Sequence, residues 1–118
     1  MEIEQVMKKT QKPTSIVSRE KRSLALHREV VKRLREDPSL WDIPLKNIER
    51  WTKLHGGLAA PYSVWLNLLR TEPKEKIIKI LLSRSQRSAC LRSSSPFTGI
   101  IDQETRNRIY EKYRQPKH

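Results

Sequence analysis

Apolar side chains recur along this chain in steps of three and four. From residue 18 the positions Leu24, His27, Val30 or Val31, and Leu34 fall on one side of a helix, while Arg22, Arg28, Lys32 and Arg35 fall elsewhere. Ser18 stands where a helix cap is needed, and Glu20 follows in the first turn, where the helix dipole favours a negative charge. The spacing therefore predicts a first helix from Ser18, ended by Asp37 and Pro38, because proline disfavours helical geometry in the residue before it. The same pair suits the start of a new element, with Asp37 as cap and Pro38 at the first position. A short turn, a kink at Pro44 and a helix to about Leu54 are expected next, with Leu45, Ile48, Trp51 and Leu54 as the apolar stripe. Gly56 and Gly57 close it.

Residues 58–70 predict a third helix with Pro61 in its first turn and Tyr62, Trp65, Leu66 and Leu69 on one side. Thr71 and Pro73 mark the start of a fourth. Its β-branched run from Ile77 to Leu82 has strand composition, but the initiating residues before it and the lack of a partner strand favour helix. Ser83 or Ser85 can cap a fifth helix through Leu91. Asp102 can cap a last one to about Tyr113, with Ile109, Tyr110 and Tyr113 inward. The expected fold is all-α: a compact single-domain bundle of about five or six short helices over residues 18–114, with a flexible basic arm at 1–17 and a tail at 115–118. Trp51 and Trp65 are expected to share one core with Leu24 and Val31.

One segment resists a simple reading. Ser93, Ser94 and Ser95 form a polar linker, yet Pro96 and Gly99 then bracket the chain's only phenylalanine, Phe97, and Ile100 and Ile101 follow. A solvated linker has no use for that apolar group. Docking onto the bundle, against Trp65 or Leu69, is the favoured reading; presentation of Phe97 to a partner as an aromatic anchor is the alternative.

Charge adds direction. The 118 residues carry a formal net charge of +12. Residues 1–36 hold ten Lys or Arg and five Asp or Glu, residues 37–72 four of each, and residues 73–118 eleven and four. Two basic flanks around a neutral middle favour a polyanion or an acidic protein partner. The segment containing Arg84 and Arg87 places two arginines three apart at a helix start, with Arg92 beyond, a pattern able to hold a phosphate or carboxylate. Arg84, Arg87, Arg92 and Phe97 are therefore the candidate partner-binding residues. Nucleic acid, if bound, would be held through phosphate contacts.

Catalysis has little support. His27 sits on the apolar face of the first helix, as a core histidine would; His55 lies at a helix end and His118 in the tail. No metal-ligand spacing and no glycine-rich phosphate loop occurs. Cys90 is the only cysteine and reads as core filling; a single cysteine excludes an intrachain disulfide. No catalytic, cofactor or metal residue is assigned. No apolar run reaches membrane-spanning length and the first residues lack a signal-peptide core, so a cytoplasmic protein without a membrane partner is expected.

Two motifs carry a family resemblance. The first is Ser18, Arg19, Glu20, Arg22, Leu24, Leu26 and His27; the second is Ser95, Pro96, Phe97 and Gly99. Over about residues 18–114 the chain resembles small bacterial antitoxin-like proteins encoded beside nucleotidyltransferase-type toxins. The resemblance implies a non-enzymatic protein that neutralises a partner toxin; a small basic DNA- or RNA-binding regulator is the alternative. Pro44 departs from the uninterrupted helix of similar proteins, and no catalytic residues are carried over.

Overall fold

The structure, a computed structural model, describes residues 14–114. The tail expected at 115–118 and most of the arm expected at 1–17 lie outside the described residues; residues 14–17 are helical instead. Helix α1 runs Thr14–Glu36, so Ser18 is an interior residue and not its cap. Its buried face is Leu24, His27, Val30, Val31 and Leu34, the stripe expected from spacing.

Asp37 caps a short 3-10 turn, Pro38–Trp41, accepting the Ser39 amide at 3.1 Å. Helix α2 spans Asp42–His55. Pro44 falls in its first turn, where a missing amide hydrogen costs no intrahelical bond, so no kink forms. Gly56 closes the helix in the left-handed region at φ 72°. Helix α3 spans Ala60–Thr71, with Pro61 in its first turn. Thr71 is the last residue of α3, its hydroxyl donating to the Asn67 carbonyl, and does not cap the following helix. That helix, α4, spans Lys74–Leu82 and begins after Pro73. The β-branched run is helical because one of its sides, Ile77, Ile78 and Leu81, is buried in the core. Helix α5 spans Gln86–Ser93 with Ser85 as cap, and α6 spans Gln103–Lys112 with Asp102 as cap. The described residues are thus all-α, six helices and one 3-10 turn.

Helix α1 is the hub: it packs against the 3-10 turn, α4, α5 and α6, while α2 and α3 form a hairpin beside it. The core gathers Val30, Val31 and Leu34 of α1, Ile48 of α2, Trp65 of α3, Ile77, Ile78 and Leu81 of α4, and Phe97 and Ile100.

The segment from Ser95 to Gly99 is an ordered, docked turn. Phe97 is buried and meets Trp65 edge-on at 5.6 Å and Trp41 edge-on at 6.1 Å between ring centroids. Gly99 adopts φ 98°, a conformation in which a side chain would be strained. Asn47 of α2 fastens the turn, its Nδ2 donating to the carbonyls of Pro96 and Thr98, both at 2.8 Å. Trp65 is fully buried and its indole nitrogen donates to the Leu91 carbonyl at 2.9 Å.

The shared tryptophan core is corrected by the structure. Trp51 is only half-buried and packs on Tyr62 at 4.9 Å, outside the core. The buried side of α2 is Pro44, Asn47 and Ile48, whereas Leu45 and Leu54 are exposed. The helix is turned so that Asn47 reaches the docked turn, and the leucines rotate outward as a result.

Candidate functional site

The first motif lies in the N-terminal half of α1, and the second leads from α5 to α6. Packing of α1 on α5 and α6 brings the two together. Between them lie two adjoining concavities. One, of about 230 Å³, has His27, Arg92, Ser95, Phe97, Gly99 and Arg106 in its lining. The other, of about 480 Å³, is walled by Arg19, Glu20, Arg22, Ser23, Arg92 and Tyr110. Arg92 and Ser93 belong to both.

The local chemistry follows from burial. His27 Nδ1 donates to the Ser23 carbonyl at 2.7 Å, one turn back in α1. Burial pushes the imidazole pKa down to about 4, against the opposing effect of that hydrogen bond and with help from the positive charge of Arg92. His27 is therefore neutral at physiological pH, a satisfied core histidine. Tyr110 of α6 lies between two guanidinium groups: Arg22 at 4.5 Å and Arg106 at 5.2 Å from its ring centroid. Arg106 Nη2 also donates to the tyrosine hydroxyl at 3.1 Å.

The four candidate binding residues separate into two pairs. Arg92 is buried and is not a surface group. Its Nη1 donates to the carbonyls of Ile80, Leu81 and Ser83, at 3.4, 3.2 and 2.6 Å, and so clamps the end of α4. Burial lowers its pKa, with the nearby charge of Glu20 opposing. Phe97 is likewise internal, because the docked turn closes over it. Neither presents itself to a partner. Arg84 and Arg87 are exposed. Arg84 faces a third concavity, of about 340 Å³, with Lys21 and Arg28 of α1 and Tyr113. Arg87 does not line it.

Cys90, expected in the core, is exposed. Helix α5 contributes Ser88 and Arg92 to the interior instead. Arg22, Arg106 and Tyr110 escaped assignment as site residues, because they come from helices far apart in sequence. The signal available was Arg22 within the first motif and Tyr110 on the inward side of the last helix. Among the described residues no group of three or more His, Cys, Asp or Glu side chains gathers to hold a metal ion, and no helix is long and apolar enough to cross a membrane. Comparison of the chain with known protein families, with curated proteins and with solved structures finds no match.

Proposed function

We propose that the protein is a non-enzymatic, antitoxin-like binding protein that captures an acidic protein partner. A nucleotidyltransferase-type toxin is the partner that the sequence resemblance implies. Such enzymes carry acidic metal-binding clefts, and a basic surface complements them in charge. The observation that carries the reading is the set of exposed cations Arg19, Lys21, Arg28, Arg84 and Arg87 on α1 and around the start of α5. None of them has a carboxylate at ion-pair distance among the described residues. Glu20 is the single carboxylate in the lining shared by Lys21, Arg28 and Arg84, so the excess of positive charge gains nothing for folding and makes sense as one half of an interface.

A nucleic-acid-binding regulator is the second reading. Tyr110 interleaved between Arg22 and Arg106 favours it, since bases stack on such platforms while arginines take phosphates. Affinity capture from the native host, run with and without nuclease treatment, separates the two. A protein partner that survives nuclease supports the first reading, and a purely nucleic-acid eluate supports the second. Exchanging Arg84 and Arg87 for Glu should leave the melting temperature nearly unchanged and weaken capture at least about tenfold, as for the loss of surface charges that steer and hold a complex.

A further inference from the structure

We propose that the cleft between the N-terminal half of α1 and the pair α5 and α6 is a binding site for a small phosphate monoester that carries a hydroxyl group. This site excludes Arg84 and Arg87 and shares only Arg19 with the exposed cations of the partner surface, and the inference does not rest on that reading. Four guanidinium groups, Arg19, Arg22, Arg92 and Arg106, line the two adjoining concavities against one carboxylate, Glu20. Arg19, Arg22 and Arg106 have no ion-pair partner among the described residues. A dianion relieves that repulsion, and the planar fork of arginine matches phosphate oxygens.

The donors are held in place before any ligand arrives. The ring centroid of Tyr110 lies 4.5 Å from the Arg22 guanidinium and 5.2 Å from that of Arg106, and the Tyr110 hydroxyl takes one Arg106 N–H, which leaves the remaining donors of both forks for a ligand. Arg92 is anchored by three carbonyls through Nη1. Its Nε is the only fully buried side-chain nitrogen or oxygen among the described residues without a hydrogen-bond partner, so the one arginine that lines both concavities keeps an unmet donor. Ser95 accepts the Phe97 amide with its oxygen at 3.3 Å and keeps its own hydrogen to give.

His27 refines the class of ligand. Its Nδ1 carries the proton that goes to Ser23, so Nε2 on the far side of the ring is an acceptor. An acceptor in the lining of a cationic cleft has no use for a bare dianion. It suits a hydroxyl on the group that the phosphate esterifies.

Calorimetric titration with ribose 5-phosphate, ribose, inorganic phosphate and sulfate, all at one ionic strength, tests the proposal. Ribose 5-phosphate should bind saturably, inorganic phosphate and sulfate more weakly, and ribose not at all. Arg22→Gln and Arg106→Gln should each weaken the ester roughly tenfold or more, the change expected for one lost charged hydrogen-bonding group. Arg106 is exposed, so its replacement leaves the fold intact, and Arg106→Lys tests the fork by keeping charge and losing planarity. Lys53→Gln, at the far end of α2, should bind as the parent does. Three results would overturn the assignment: no saturable binding of the ester, affinity unchanged in both glutamine variants, or equal affinity for sulfate and ester. Partner capture is read in a different experiment with different variants, so either reading can fail alone.

Discussion

Two tryptophans on neighbouring helices, each paired with another aromatic ring, have opposite fates. Trp65 meets Phe97 at 5.6 Å, is fully buried and has its indole nitrogen bonded to the Leu91 carbonyl. Trp51 meets Tyr62 at 4.9 Å, closer, yet stays half-exposed on the α2 and α3 hairpin. Ring distance does not separate them. What separates them is a third element: the turn around Phe97 closes over Trp65, and nothing among the described residues closes over Trp51. A helical stripe says which residues share a side, and only the rest of the chain decides which side is inside.

The largest test of this contrast is truncation of the buried member. Trp65→Ala should cost about 3–5 kcal/mol by chemical denaturation, with the lost indole hydrogen bond adding to the cavity. A loss below about 1 kcal/mol would put Trp65 in the same class as Trp51 and remove the contrast.

The buried side should also show itself through pH, because His27 lies in the lining of the cavity beside Phe97. Its pKa is about 4 in the folded protein against 6.5 when unperturbed. Between those values the unfolded chain takes up a proton that the folded chain refuses. Stability is therefore present in full above pH 6.5 and falls as the pH drops toward 4, by up to about 3 kcal/mol. His27→Gln should flatten that part of the profile. Asp102 acts in a lower window. Arg33 at 2.7 Å and Thr105 hold its carboxylate below the usual range, so its contribution is present above the ordinary carboxylate pKa and lost on further acidification. A stability profile flat from pH 6.5 to 4 in the parent protein would contradict the burial of His27.

Asn47→Ala should come next, at about 2 kcal/mol, because the carbonyls of Pro96 and Thr98 lose their shared donor. Its signature should be structural as well: the Trp65 fluorescence should shift as the turn loosens. Trp51→Ala should be the smallest change, about 1 kcal/mol, the worth of a partly exposed aromatic pair. A cost as large as that of Trp65 would show that the hairpin has a core of its own.

Much of this arrangement is legible in the sequence where the signal is local. Asp37, Ser85 and Asp102 cap the elements that follow them, Gly56 closes α2, and the α1 stripe from Leu24 to Leu34 is buried as its spacing implies. The docking of Phe97 follows from an isolated aromatic ring between residues that shape a turn. Two of the misses share one cause, a polar side chain satisfied by carbonyls from elsewhere. Asn47 lies off the apolar stripe expected for α2, yet the turn supplies two acceptors and it is buried, while Leu45 and Leu54 of that stripe face outward. Arg92 reads as a binding charge until the end of α4 supplies three. The candidate site was half visible for the same reason: its motifs could be seen, but the meeting of Arg22, Arg106 and Tyr110 belongs to tertiary packing.

The position of α1 has a consequence for synthesis. The first described helix supplies Val30, Val31 and Leu34 to a core whose other members include Ile77, Ile78, Leu81, Phe97 and Ile100. The ribosome delivers the hub before its spokes. At ordinary elongation rates roughly 3–13 s separate the completion of α1 from the appearance of α6. For that interval an apolar ridge flanked by arginines is finished but uncovered. Nascent chains of this protein should therefore bind a chaperone that favours basic, aliphatic segments until the last helix emerges, and release it when Asp102 reaches Arg33.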